Sequence, residues 1–169
     1  MENNYDVIIL GAGASGMTAA LAVYENGLSV GLFEKQNLVG GTAGVSGGII
    51  WAPMNSHMKD KGIKDERSMA IDYFMSLSNG EIDPIRLESF IDNCSSAIDF
   101  IEEKTDANFY VLDGYPDYYL DRPGAILGGG RALDNKLFNY CKLGKWAKKV
   151  RNNGTVSYTH LTLPTSSQV

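Results

Sequence analysis

Apolar and polar positions at the start of the chain predict a strand, a helix and a second strand, in that order. Residues 7–10 form an unbroken apolar run, which is typical of a parallel strand buried on both faces. The next segment has helical spacing, and its apolar face consists of Met17, Ala20, Leu21 and Tyr24. Gly27 predicts the end of this helix, and residues 29–33 form the second predicted strand. The pattern therefore predicts a βαβ unit with parallel strands.

The turn before the helix has the glycine spacing of a dinucleotide-binding site. Gly11 can turn the chain without a Cβ penalty, Gly13 leaves room for a pyrophosphate, and Gly16 lets the helix pack close to the sheet. Ala14 and Ser15 stand in the first helical turn, where unpaired N–H groups and the positive end of the dipole favour an anion. The segment predicts a phosphate site at this helix N-terminus.

A carboxylate at the end of the second strand adds to this prediction. Glu34 follows the first glycine by about 20 residues, the spacing at which an acidic side chain accepts hydrogen bonds from an adenosine ribose. The alternative is that the three glycines only make a tight strand-to-helix turn. The strand, the helix and the carboxylate are all in register, and together they favour a nucleotide site.

A second glycine-rich segment, residues 40–48, follows soon after Glu34 and runs into the apolar residues 49–51. Such a bare backbone can pass close to a flat ring and a diphosphate, with hydroxyl groups from Thr42 and Ser46. A flexible surface loop is the alternative, but it predicts polar neighbours rather than Ile-Ile-Trp. NAD-binding domains have no evident need for such a segment.

The rest of the chain has mainly helical patterns, which we interpret as core. Asp65 is the predicted cap of a helix whose apolar face consists of Ala70, Tyr73, Phe74 and Leu77. Asp83 and Pro84 predict the start of another helix, with an apolar stripe of Leu87, Ile91, Cys94, Ile98 and Ile101. A strand is predicted at residues 109–112.

Composition narrows the function classes. The net charge of −5 argues against a nucleic-acid-binding surface. The polar start lacks a secretory signal pattern, and no run approaches the ~18 apolar residues of a membrane helix, so we predict a cytoplasmic protein without a transmembrane segment. Cys94 and Cys141 have no metal-site spacing and are interpreted as packing residues, and His57 as a surface histidine. No metal is predicted.

The residues from Glu34 and Lys35 through GGTAGVSGGIIWAP (40–53) resemble the FAD-binding segment of the fumarate reductase and 3-ketosteroid dehydrogenase superfamily. The resemblance implies an α/β fold, namely a glutathione-reductase-like Rossmann FAD-binding domain, here incomplete and with added helices. It also implies FAD rather than NAD as the cofactor. The predicted cofactor-binding residues are Gly11, Gly13, Ala14, Ser15, Gly16, Glu34, Lys35, Gly40, Gly41, Thr42, Ser46, Gly47 and Gly48.

An aromatic cluster within GYPDYYLDRPG (114–124) is the next candidate for chemistry. A phenol can handle a proton, although the residues alone favour core or interface aromatics. Together with GGGRALDNKLFNYCKLGKW (128–146), however, the cluster resembles 3-ketosteroid Δ1-dehydrogenases. The resemblance implies that Tyr118 is catalytic, lining the substrate pocket and assisting the base. Tyr119 is then a pocket residue, or takes that role if the alignment shifts by one, and Arg131 is a structural or pocket-edge residue.

The implied reaction introduces a carbon–carbon double bond next to a ketone. A tyrosinate removes a proton alpha to the ketone while a hydride leaves the neighbouring carbon for the flavin. The substrate is then a small-molecule ketone, either a steroid or another cyclic ketone, and the external electron acceptor is unassigned. Two alternatives stay open: a fumarate reductase-like flavoprotein that reduces an activated alkene, and a non-catalytic nucleotide-binding module.

The organisation predicted from these segments has three parts. Residues 1–51 form the FAD-binding unit, and residues 52–150 form a helical extension with the start of the substrate pocket, in the same domain. Residues 151–169 are predicted to be a non-native or disordered tail, because VSYTHLTLPT (156–165) resembles a translated sequencing adapter. Two firm strands are few for a sheet of this type, so we expect an N-terminal fragment that is inactive alone.

Overall fold

The computed structural model describes residues 4–151, which divide into two compact units. The described part of the first unit consists of residues 4–48 and 139–151, and the second unit consists of residues 49–138. The predicted boundaries at 51 and 150 stay predictions. The predicted adapter-like stretch lies outside the described residues.

The first unit contains the βαβ arrangement expected from the apolar pattern. Strand β1 (Val7–Leu10) pairs in parallel with β2 (Val30–Phe33), and helix α1 (Ala14–Glu25) connects them. The register runs from Val7 opposite Val30 to Leu10 opposite Phe33. Because the two strands are parallel, their carboxyl ends lie at one edge of the sheet.

The prediction that the first strand is buried on both faces is wrong. Ile8 and Leu10 are 61% and 82% exposed. Strands in this unit form a two-stranded sheet among the described residues, so one face of β1 has no covering layer there. An apolar run identifies a strand that suits burial, but only packing decides whether both faces are covered.

The second unit is built on a small antiparallel sheet. Its strands are β3 (Ile50–Trp51), β4 (Phe109–Val111) and β5 (Ala132–Asn135), in the spatial order β3-β5-β4. The helices are α2 (Ser56–Asp60), α3 (Arg67–Leu77) and α4 (Pro84–Lys104). Strand β4 agrees with the prediction, whereas β5, the central strand, follows a glycine run that gave no strand signal.

The helix caps differ in how well local sequence predicted them. Asp83 caps α4 as expected, since its Oδ1 accepts a hydrogen bond from the Ile85 N–H at 3.0 Å. The predicted cap at Asp65 is wrong: α3 begins after Glu66, and the Asp65 carboxylate instead accepts hydrogen bonds from Arg131 and from the Met54 N–H. Asp65 pairs with the buried Arg131 guanidinium instead of capping the helix.

Two apolar clusters form the core of the second unit. The larger contains Ala52, Met58, Ile98, Phe109, Val111 and Leu133. The smaller contains Ala70, Leu87 and Ile91, with partly buried aromatic residues around it. The predicted stripe on α4 therefore divides between both clusters. Among the described residues, no helix combines the length and the apolar character that crossing a lipid bilayer would need.

Replacing Ile91 by Ala should lower the free energy of unfolding by about 2–5 kcal/mol, because it leaves a cavity in the smaller cluster. Ile85→Ala is the matched control, since Ile85 is on the same helix but is 79% exposed. That change should stay within about 0.5 kcal/mol. Equilibrium urea denaturation measures both, and equal losses would contradict this assignment of the core.

Candidate functional site

The glycine turn of the first unit brings strand and helix into direct backbone contact. A Cβ atom on Gly16 would lie 1.8 Å from the carbonyl oxygen of Gly11, so only glycine fits there. Gly11 has a φ of +102°, a conformation that side chains disfavour. Gly13 is the N-cap of α1, and no side chain caps this helix end. The helix N-terminus is therefore left to its backbone N–H groups.

The second glycine segment lies against this turn. The Gly40 N–H donates to the Ala12 carbonyl at 2.7 Å, and a Cβ on Gly41 would lie 3.0 Å from the Gly13 Cα. Gly40 and Gly41 both have positive φ, which lets the chain bend away after the contact. Two segments that the sequence analysis found separately thus form one backbone cradle.

The hydroxyl groups of the second glycine segment have local roles. Thr42 precedes a single 3-10 turn at Ala43–Val45. The Ser46 hydroxyl donates to the Ala43 carbonyl at 2.9 Å and accepts from the Gly48 N–H at 3.1 Å. The Ser46 side chain therefore already stabilises the turn that leads into Gly47 and the second unit's first strand.

Glu34 joins the two ends of the βαβ unit. Its Oε2 accepts from the Ala12 N–H at 2.8 Å and its Oε1 accepts from the Gln36 N–H at 3.0 Å. The Ala12 hydrogen bond is the main reason that the pKa of Glu34 lies below its ordinary value. The stabilisation is therefore present above the ordinary pKa and is lost as pH falls through the lowered one. A carboxylate can accept more hydrogen bonds than these, so Glu34 can also accept from a ligand hydroxyl.

A cavity of about 890 Å³ opens beside these groups. Its lining includes five of the predicted cofactor residues: Gly11, Glu34, Lys35, Gly41 and Thr42. Gly13, Ala14, Ser15, Gly16 and Gly40 belong to the same cradle without lining the cavity, and Ser46, Gly47 and Gly48 lie further along the second glycine segment. The cradle and the carboxylate therefore surround one space.

Arg151 also lines this cavity, and the sequence did not indicate this position. Its N–H donates to the Val39 carbonyl at 2.7 Å, and the Val39 N–H donates to the Lys149 carbonyl at 2.8 Å. This pairing brings a distant segment beside the second glycine run, where Arg151 and Gln36 add to the lining. No local pattern announces it, because the contact joins positions more than 100 residues apart.

A second cavity, of about 280 Å³, lies within the second unit beside residues 115–126, which we call the tyrosine loop. Its lining is mostly aromatic and aliphatic: Ile49, Trp51, Tyr73, Phe74, Leu77, Tyr115, Pro116, Asp117, Tyr118, Tyr119 and Ala132. Such a wall suits an apolar ligand with few polar groups.

Tyr118 and Tyr119 both reach this cavity but differ in their contacts. Tyr118 is 80% exposed, and its hydroxyl lies 3.3 Å from that of Tyr115. This hydrogen bond is the main reason that the pKa of Tyr115 is raised. Tyr119 is held through its backbone, since its N–H donates to the Tyr73 hydroxyl at 3.2 Å.

Two further residues have surroundings that the sequence did not indicate. Arg131 is buried at 1% exposure and forms ion pairs with Asp65 and Asp117. His57 is partly buried rather than an ordinary surface histidine, because its Nε2 lies 2.8 Å from Glu102. Within residues 4–151, no group of three or more potential metal-binding side chains occurs.

Comparison with known proteins decides the family. A family model described as "FAD binding domain" matches residues 6–164. The chain belongs to this FAD-binding family. Its members have the FAD-binding fold of the flavoproteins, and FAD is their cofactor. The mixed helices and strands described above are those of an FAD-binding chain.

Several dehydrogenases are similar to this FAD-binding chain. A 4-oxocyclohexanecarboxylate 2-dehydrogenase from Sinomonas cyclohexanicum is 36% identical over 159 residues, 94% of this chain and 28% of that protein. A 3-oxosteroid 1-dehydrogenase from Mycobacterium tuberculosis is 35% identical over 140 residues, 83% of this chain and 25% of that protein.

A solved structure agrees with these relatives. The crystal structure of 3-ketosteroid Δ1-dehydrogenase from Sterolibacterium denitrificans, in complex with 1,4-androstadiene-3,17-dione, matches with a TM-score of 0.82 at 36% identity. The match covers 89% of this chain and 26% of that one. The FAD-binding chain thus spans about a quarter of the length of the relatives it matches.

Proposed function

We propose that this chain is the FAD-binding part of a 3-ketosteroid Δ1-dehydrogenase-like enzyme, which introduces a carbon–carbon double bond next to a ketone. In this proposal the first unit belongs to a glutathione-reductase-like Rossmann domain. The main support is that two glycine segments and Glu34 lie around one cavity, in a chain that is 35% identical to a 3-oxosteroid 1-dehydrogenase.

The residues present fit FAD. A Cβ on Gly16 or Gly41 would collide with the backbone of the glycine turn, so the close approach of these segments needs glycine, and the uncapped N-terminus of α1 suits a pyrophosphate. Glu34 would accept hydrogen bonds from the ribose. The residues proposed to hold FAD are Gly11, Gly13, Ala14, Ser15, Gly16, Glu34, Lys35, Gly40, Gly41, Thr42, Ser46, Gly47 and Gly48.

The proposed chemistry of the chain's own residues concerns a proton. When bound, FAD supplies a two-electron hydride acceptor. Tyr118 lines the substrate pocket and assists the base that takes a proton alpha to the ketone. The Tyr115 hydroxyl lies 3.3 Å from the Tyr118 oxygen, within reach to donate a hydrogen bond to it. Tyr119 forms part of the pocket wall.

The aromatic cavity supports an apolar cyclic ketone as the substrate, with a steroid as the first choice. Its described lining residues include no arginine, lysine or histidine that could pair with a substrate carboxylate, and its charged member, Asp117, is already paired with Arg131. A fumarate-type reductase would need cations for its dicarboxylate. We further propose a cytoplasmic enzyme that passes its electrons to an external acceptor.

The test uses the polypeptide encoded by the complete source gene. The DNA across codons 142–169 is read first, because residues 156–165 resemble an adapter. The purified flavoprotein is then mixed anaerobically with a 3-ketosteroid, and the loss of oxidised flavin absorbance is followed. We expect rapid bleaching and a Δ1-unsaturated product. Reoxidation of the reduced flavin by fumarate, without bleaching by any cyclic ketone, would overturn the proposal.

Glu34→Gln should raise the Kd for FAD on the order of 10-fold to 100-fold. The amide replaces one acceptor oxygen with a donor that opposes the Ala12 or Gln36 N–H, and it also weakens the contact to the ribose. Fluorescence titration with FAD measures the change. Glu81→Gln, in the other unit, is the control, and an equal Kd for both variants would contradict the role of Glu34.

A further inference from the structure

The guanidinium of Arg131 joins two carboxylates that are distant in sequence. Its Nε and Nη2 donate to the two oxygens of Asp65 at 2.9 and 2.6 Å. Its Nη1 donates to Asp117 Oδ2 and to the Gly124 carbonyl, both at 2.9 Å. The three ionic side chains are at most 3% exposed. Because the guanidinium fork is planar and rigid, these bonds fix the two acids relative to each other.

Asp117 transmits this arrangement to the tyrosine loop. Its Oδ2 also accepts from the Ile126 N–H at 2.9 Å, and its own N–H donates to the Ile126 carbonyl at 3.1 Å. Its Oδ1 accepts from the Trp51 indole N–H at 2.7 Å. Asp117, near the start of the loop, therefore holds Ile126 at its end. Since it directly precedes Tyr118, its position sets where the Tyr118 backbone starts.

The other neighbour of Tyr118 is held by the same cluster. The Arg131 Cζ lies 5.2 Å from the Trp51 ring centre and 5.8 Å from that of Tyr73. The Tyr73 hydroxyl in turn accepts the hydrogen bond from the Tyr119 N–H. Asp117 contacts Arg131 directly, and Tyr119 contacts it through Tyr73. The residues on both sides of Tyr118 are thus held by contacts that include Arg131.

A gain in folding stability does not by itself explain why charged residues occupy this buried cluster. One cation faces two carboxylates, and neutral donors such as the Met54 and Glu66 N–H groups complete the shell around Asp65. Buried ion pairs often contribute no more stability than well-packed apolar residues of the same volume. What the cluster adds over an apolar core is a defined geometry for the groups attached to it.

We propose that Arg131 is a positioning residue, whose guanidinium holds the tyrosine loop so that the Tyr118 phenol stands at the substrate pocket. The inference rests on the proposed function of Tyr118. It concerns how the loop is held, however, and this can be measured without turnover.

The test compares Arg131→Lys with Arg67→Lys in the polypeptide encoded by the complete gene. Arg67 makes a similar forked pairing with Glu88 and Asp92, but on the surface. Lysine keeps the charge and loses the fork. We expect Arg131→Lys to lower kcat about 10-fold or more with KM for the ketone changing less, and to speed hydrogen exchange of the loop amides. The Kd for FAD should stay unchanged, and Arg67→Lys should show none of these effects.

Trp51→Phe keeps the inference testable if Arg131→Lys fails to fold. It removes the indole N–H that Asp117 accepts and leaves an aromatic ring under the guanidinium, while Trp146→Phe, an exposed tryptophan, is its control. Faster loop exchange and a lower kcat in Trp51→Phe alone support the proposal. Loop exchange equal to that of the matched control overturns it. If the parent protein oxidises no ketone, the proposed function fails, and loop exchange still decides whether Arg131 positions the loop.

Discussion

Replacing Tyr118 by Phe is expected to lower kcat for ketone oxidation by about 100-fold or more, the usual range for losing a group that handles a proton. The ring is retained, so its edge contact with Tyr115 at 6.3 Å between ring centres can persist. Because Tyr118 is 80% exposed, the free energy of unfolding should change by less than about 0.5 kcal/mol. Loss of kcat without loss of stability would be the signature of a chemical role.

Tyr119→Phe is the matched variant for this experiment, since it removes the neighbouring phenol from the same cavity lining. Single-turnover flavin reduction under anaerobic conditions isolates the chemical step for both variants. A larger loss in Tyr119→Phe would transfer the proposed role to that residue. Unchanged flavin reduction in both variants would refute a role for the tyrosine pair in the reaction.

Gly16→Ala is expected to abolish FAD binding and to destabilise the first unit. The added Cβ would lie 1.8 Å from the Gly11 carbonyl oxygen and 3.0 Å from its carbonyl carbon. Both are backbone atoms, so relief requires α1 to move away from the turn. Overpacking of this kind costs about 1–3 kcal/mol and occasionally more, and such short distances place this variant at the upper end.

Urea denaturation and fluorescence titration with FAD measure the two effects of Gly16→Ala. Gly128→Ala is the control, because a Cβ at that position would meet nothing within 4 Å. It should bind FAD like the parent protein. Near-parental FAD affinity in Gly16→Ala would contradict the close strand-to-helix approach, and with it the proposed pyrophosphate position.

Much of the first unit could be predicted because its signals are local. The strands, the helix and the glycine turn follow from periodicity and from backbone conformations that only glycine adopts easily. The family model and the similar dehydrogenases confirm the family resemblance. It could be seen in the sequence because its motifs are contiguous. The predicted cap at Asp83 is confirmed as well, because this cap joins atoms only two residues apart.

The features that escaped prediction are all long-range. Asp65 lies next to a helix and has the right chemistry for a cap, yet its partner is Arg131, 66 residues away. Strand β5 lacks a pattern of its own and exists because it pairs with β3 and β4 on either side. Arg151 reaches the first cavity only through pairing with Val39.

By itself, the sequence determined the βαβ unit, the glycine turn and the carboxylate that follows it, because each element has a recognisable pattern in its own short segment. The tertiary structure alone decided that the two glycine segments share one cradle and that Arg131 lies buried between Asp65 and Asp117. A buried charge is stable only beside groups of opposite charge or hydrogen-bonding groups. Side-chain chemistry limits which residue types can serve, but their positions along the chain depend on the fold.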